Sequence, residues 1–268
     1  MTDSSKDTEI HGSSGSGRVV LLIAGGKLAM IAVNDLAERF GQLTVLKEEP
    51  EAKWDVFRRR ARLKGPLYAL GQATCALMLK GLARMSQKRI REICADHRLR
   101  IGSPRNIDLR NIGSVNSETC RHLLRELNPD VVAVYGTRVI SKETLRAVDA
   151  PFINYHAGIT PEYRGQHPAY WALVNADTDR VGVTIHLVDE GVDTGGVLCQ
   201  APVRFTPRDN ITTYQYVQMA TALPLFVRAI EDALARRLTP RNFKAPSKHW
   251  YPPTLVQYIA NGMFRSIW

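Results

Sequence analysis

The chain of 268 residues is 44% hydrophobic and 23% charged, a balance that fits one large folded domain with a short appendage and excludes a wholly disordered, collagenous or disulfide-stapled class. Its 36 Lys and Arg against 26 Asp and Glu give a formal charge of +10, which favours anionic partners without choosing among phosphates, other small anions and nucleic acid. Apolar runs such as 19–24 fall far short of the roughly 20 residues a membrane span needs. The N-terminus has no secretory apolar stretch, and Cys75, Cys94, Cys120 and Cys199 are too scattered for a zinc site or a disulfide framework. A cytoplasmic protein with no membrane partner is expected.

Residues 1–17, which end in a Gly/Ser run, read as a flexible leader, because that composition buries too little apolar surface to offset its ordering entropy. From Val19 to Ile23 a continuous apolar run marks a strand covered on both faces. A Gly25-Gly26 turn, a helix over 28–40 and a strand at 43–46 complete a βαβ opening. Three helical stretches, 51–64, 66–83 and 87–97, then follow without a strand between them and read as an insertion over 51–100. Alternation resumes with a helix over 117–127 capped by Ser117, a strand from Val131, a short helix capped by Ser141 and a strand from Phe152 to His156. His167 to Asn175 reads as a helix, 182–188 and 196–205 as a β-hairpin, and 211–237 as a long helix. The Pro-, Trp- and Tyr-rich segment 239–268 reads as an irregular tail packed on the domain. In parallel sheets ligands bind beyond the carboxyl ends of the strands, so Gly25, Gly136 and His156 should share one edge.

Asn154 and His156 stand two apart on a strand and therefore project to the same side. A carboxamide and an imidazole there suit an oxyanion that develops at a carbonyl; a turn cap and a satisfied histidine would give the same pair. Asp193 lies in a glycine-rich loop, which suits either a simple turn or a carboxylate brought close to a ligand. Residues alone leave both open. His186 reads as a structural hydrogen-bonding residue, Trp171 as core, and His167 equally as a helix cap or a substrate contact. Arg138 and Arg164 could each meet a phosphate or another anion.

The segment Asn154-Tyr155-His156-Ala157-Gly158-Ile159-Thr160-Pro161-Glu162-Tyr163-Arg164-Gly165 resembles the N-x-H-x-S-L-L-P-x-x-x-G signature of the folate-dependent formyltransferase family. Gly182 to Asp189, continued through Asp193-Thr194-Gly195, is similar to that family's second signature, and Tyr135 to Ser141 resembles the loop laid over the pterin ring in glycinamide ribonucleotide formyltransferases. The resemblance covers roughly residues 101–235, with weaker support from the first strand. It implies a Rossmann-like α/β fold with a mostly parallel sheet, helices on both faces, a helical insertion and a C-terminal β-hairpin plus helix; the catalytic domain would span 18–238. It implies transfer of a formyl group from 10-formyltetrahydrofolate to a primary amine without a metal, with Asn154, protonated His156 and Asp193 as catalytic residues. Tyr135, Gly136, Thr137, Arg138, Val139 and Ile140, with Val188, Asp189, Gly191 and Val192, would hold the folate. Arg164, Gly165 and His167 would touch the acceptor.

Three departures bear on the acceptor. Gly158-Ile159-Thr160 stands in place of Ser-Leu-Leu, the first turn lacks a Gly-Ser-Asn phosphate loop, and the tail is too short for the β-barrel of methionyl-tRNA formyltransferases. A small, anionic acceptor such as glycinamide ribonucleotide or an amino sugar nucleotide is expected, with formyltetrahydrofolate hydrolysis or transfer to a charged tRNA as alternatives. An RNA-binding protein that has lost the activity is disfavoured by the intact Asn154, His156 and Asp193. Arg58, Arg59, Arg60 and Lys64 of the insertion would meet an anionic acceptor, or else the insertion is an oligomer interface or helical cap.

Overall fold

The computed structural model describes residues 17–102, 104 and 107–268; the expected leader therefore lies, Gly17 apart, outside the described residues. Apolar runs in β1 (Val19–Ile23), β4 (Val131–Tyr135) and β5 (Phe152–His156) form the centre of a seven-stranded sheet of order β3-β2-β1-β4-β5-β7-β8. In it β2 is Leu43–Glu48, β3 is Ile107–Ile112, β7 is Gly182–Leu187 and β8 is Val197–Pro202. The first five of these neighbours pair in parallel and β7 and β8 join antiparallel. Strand alternation splits β1 between two cores. Val19, Leu21 and Ile23 face α1 (Lys27–Phe40), α4 (Gln87–Asp96) and α8 (Tyr214–Leu234), whereas Val20 and Leu22 face α5 (Glu118–Leu127) and α6 (Lys142–Leu145). Covering both faces explains why these strands read as unbroken apolar runs.

The insertion consists of α2 (Lys53–Lys64), α3 (Pro66–Met85) and α4. Its helices differ in how they are held: α2 buries no residue, while α4 sends Ile90, Ile93 and Cys94 into the main core. Two expectations need correction. A strand, β3, follows the insertion; Asp108 and Arg110 alternate along this sheet edge, and the missing apolar run concealed it. The segment 239–268 is not irregular, since it forms β9 (Lys248–Trp250), paired with β6 (Tyr163–Gly165), and α9 (Leu255–Arg265). Thr254 and Gln257 build a capping box at the start of α9, a signal overshadowed by the Pro252-Pro253 pair. Beneath α9 lies a third core, in which Tyr258 meets Tyr170 and Trp171 of α7 (Pro168–Val174) and Cys75 of α3.

Candidate active site

The parallel register of β1, β4 and β5 brings Gly25, Gly136 and His156 to the same carboxyl edge of the sheet. At the end of β5, Asn154 lies opposite His186 and His156 opposite Thr184 of the antiparallel β7. The loop between β7 and β8 returns Asp193 to this point with a left-handed backbone, φ +51°, a conformation that costs a non-glycine residue free energy and recurs at functional sites.

Asp193 Oδ2 accepts from Gly165 N at 2.9 Å and faces His156 Nδ1 at 3.4 Å, while Oδ1 lies 3.6 Å from His186 Nε2. His156 Nε2 donates to the Tyr163 carbonyl at 2.8 Å. His186 Nδ1 donates to the Leu187 carbonyl at 2.7 Å, leaving Nε2 to accept from Asn154 Nδ2 at 3.1 Å. Four side chains thus form one connected cluster. Burial alone would raise the Asp193 carboxyl, but His156, His186 and the Gly165 N–H together outweigh it and hold Asp193 well below the usual carboxylate range. His156 is buried, and desolvation lowers its pKa despite the opposing pull of Asp193. The low-dielectric surroundings penalise the imidazolium more than one carboxylate at 3.4 Å rewards it, which works against the protonated form expected for His156.

Glycines explain two approaches. Gly165 has φ +91°, and a Cβ there would sit 2.7 Å from His249 Nε2. At Gly158 a Cβ would meet Pro168 Cγ at 2.6 Å and the Tyr163 carbonyl at 2.7 Å, so α7 and β6 occupy the space that the serine of the resembled signature would need. Thr160 does not restore a hydroxyl in the open: it is buried, its N bonded to Thr184 Oγ1 and its carbonyl to Gln200 Nε2.

The remaining expected residues occupy two rims. Residues Gly136 to Ile140 and Val188 to Val192 form adjacent loops, bridged by Lys142 and Glu190 at 3.0 Å. Tyr135 stacks on Tyr155, Thr137 bonds the Arg138 carbonyl, and Val139 is exposed. Gly191 N bonds Asp189 Oδ1, which tightens the second loop. Ile140 is buried in the core, so its side chain offers no surface to a ring. Arg138 forms an ion pair at 2.6 Å with the buried Glu48 and bonds the Glu49 carbonyl, an internal arrangement in place of the expected anion contact. Arg164 likewise bonds the Val192 carbonyl and Ser247, both at 2.8 Å, and so clamps the Asp193 loop. His167 occupies the N-cap position of α7 without a side-chain cap bond, and burial with the Arg60 charge pushes its pKa down to about 4. From the insertion, Arg60 reaches Gln166 and Lys64 lies over Tyr251, whereas Arg59 is paired with Glu51 and Arg58 lies over Trp54.

Two contributors escaped the sequence reading. His186 completes the cluster although it reads as an ordinary strand residue, and His249 is brought beside Gly165 by the β6–β9 pairing. The run Lys248-His249-Trp250-Tyr251 was the only local signal for the latter.

An imidazole, a carboxamide and a half-buried carboxylate with a strained backbone are thus gathered at the carboxyl edge of the parallel sheet, donors and a charge of the kind that can stabilise an oxyanion. The chain belongs to the formyl transferase family, whose sequence profile matches residues 78–230, more than half of the chain. Among relatives, the methionyl-tRNA formyltransferase of Thermodesulfovibrio yellowstonii is 34% identical over 120 residues, 44% of this chain and 38% of that protein. That of Finegoldia magna is 43% identical over 128 residues, 47% of this chain and 41% of that protein. The matched stretch thus spans less than half the length of either relative. In fold the chain is similar to the glycinamide ribonucleotide transformylase 1 of Symbiobacterium toebii, with TM-score 0.54, 18% identity and coverage of 90% of this chain and 100% of that one. A sugar N-formyltransferase from Shewanella sp. gives TM-score 0.54, 18% identity and coverage of 87% and 76%. At these identities the likeness concerns the fold alone.

Proposed function

We propose that the protein transfers a formyl group from 10-formyltetrahydrofolate to a primary amine of a small, anionic acceptor. The observation that carries this reading is the convergence of Asn154, His156 and Asp193 in one cluster at the sheet edge. The amine attacks the formyl carbon, and the carbonyl oxygen becomes an oxyanion. The bond from carbon to folate nitrogen then breaks, the nitrogen takes a proton and the amine loses one. At rest the His156 N–H rests on the Tyr163 carbonyl and the Asn154 N–H on His186. A developing oxyanion is a stronger acceptor than either, so both donors turn to it, at about 3 kcal/mol of transition-state stabilisation each. Neutral His156 has its unprotonated Nδ1 toward Asp193. A proton from the attacking amine that reaches this nitrogen is stabilised by the carboxylate and can pass on to the leaving nitrogen.

The loops 136–140 and 188–192 would hold the pterin, chiefly through backbone groups. Gly165, His167, Arg60 and Lys64 would line the acceptor side, the two cations favouring an anionic group such as a phosphate. A cytoplasmic location agrees with a donor of this kind, and no helix among the described residues is long and apolar enough to cross a membrane.

The decisive experiment incubates the protein with 10-formyltetrahydrofolate and a metabolite extract, then searches by mass spectrometry for amines heavier by one formyl group. One or a few such products, absent without the protein, are expected. Consumption of the donor with formate as the sole product would establish hydrolysis instead, and formylation confined to added methionyl-tRNA would displace the small acceptor.

A further inference from the structure

The helices α3 and α9 lie side by side. Gln72 Nε2 bonds the Pro252 carbonyl at the start of α9, and both helices send their inner faces, Cys75 and Tyr258 among them, into the third core. Their outer faces should be polar for surface helices, and they are not. Leu67, Leu70 and Leu77 follow one another along the outside of α3, and Val256, Ile259 and Met263 along the outside of α9. Leu67, Leu77, Val256 and Met263 are each at least 68% exposed. Fifteen residues between Lys64 and Lys80 carry no charge. An uncharged helical stretch of this length, too short to span a bilayer and with leucines on its exposed side, fits a position at an apolar–aqueous boundary.

Charge decides what covers this face. Between Asp55 and Glu92 stand ten Lys and Arg and no acidic residue, a local excess as large as the net charge of the whole chain. Within it Arg58, Arg62, Lys80, Arg84, Lys88 and Arg91 form no ion pair with any described residue. A two-fold contact with a second copy would set these like charges against themselves. A nucleic acid would satisfy the cations but leave the leucines, valine and methionine against phosphate and sugar. We propose that α2, α3 and α9 form a docking surface for an anionic lipid bilayer, the aliphatic stripes entering the headgroup boundary and the basic residues facing anionic headgroups. This departs from the expectation of no membrane partner, because span length and hydropathy detect crossing helices and not a face assembled from two helices far apart in sequence. The proposal is independent of the formyl-transfer reading.

The test uses the full chain with two kinds of vesicle, phosphatidylcholine alone and equal parts phosphatidylcholine and phosphatidylglycerol, in a sedimentation assay. Binding to the mixed vesicles and little to phosphatidylcholine alone is expected. The combined variant Leu70→Glu, Leu77→Glu, Met263→Glu should bind about tenfold or more weakly, and Arg58→Ser, Arg62→Ser, Arg84→Ser about tenfold more weakly at low salt. Circular dichroism and the thermal midpoint should stay at wild-type values, since all six side chains are exposed. Absence of wild-type binding to the anionic vesicles overturns the proposal. So does a wild-type dimer that the three glutamates convert to monomer, or single-stranded RNA binding that survives the glutamates while vesicles are ignored.

Discussion

At the level of single residues the site is a set of mutual constraints. Asp193 is held by Gly165 and Arg164 holds its loop, so Asp193→Asn keeps the shape and removes the charge that stabilises a proton on His156. His156→Ala removes a donor and the proton acceptor together. Each should lower turnover with the true acceptor about a hundredfold or more, measured as formylated product per unit time, with an unchanged far-ultraviolet spectrum; near wild-type turnover in either refutes the proposed roles. Gly158 provides a complementary test of packing. Gly158→Ser restores the residue of the resembled signature, yet its Cβ would press on Pro168 and the Tyr163 carbonyl. The variant should be destabilised by about 1–3 kcal/mol in urea unfolding, and equal or greater stability would show that α7 can shift to admit it.

Among the elements, those nearest the sheet centre were the most legible, because coverage on both faces leaves an unbroken apolar run in β1, β4 and β5. The two ends of the molecule were less so. Edge strand β3 carries Asp108 and Arg110, and β9 is only three residues long, held by its pairing with β6 rather than by its own composition. That pairing places His249 beside Gly165, and α9 anchors the strand from behind. The anchor depends on the cap: the Thr254 hydroxyl accepts from Gln257 N at 3.2 Å, and Gln257 Oε1 accepts from Thr254 N at 2.9 Å. Thr254→Ala should therefore cost about 1 kcal/mol of stability and Thr254→Ser much less. Equal losses in the two variants would assign the effect to the Thr254 methyl against Gly71 and not to the cap.

For the molecule as a whole, the buried His156 and the half-buried His167 link stability to pH. Burial lowers the folded-state pKa of His156 and brings that of His167 to about 4 from 6.5. As pH falls below 6.5 the unfolded chain takes up protons that the folded chain refuses until near pH 4, so stability drops through this window. His167 alone should contribute a loss on the order of 2 kcal/mol between about pH 7 and 5. Urea midpoints across that range should fall, and His167→Asn should flatten the curve; an unaltered slope would locate the linkage elsewhere. The sequence by itself determined the parallel α/β core and the candidates Asn154, His156 and Asp193, because strand periodicity and short motifs are local and survive without neighbours. Only the tertiary structure decided that His186 and His249 join them, that Arg138 and Arg164 turn inward to Glu48 and Val192, and that α3 and α9 leave an apolar face outward. Each of these depends on segments dozens of residues apart being brought together, and the free energy of such contacts leaves no periodic trace in either segment alone.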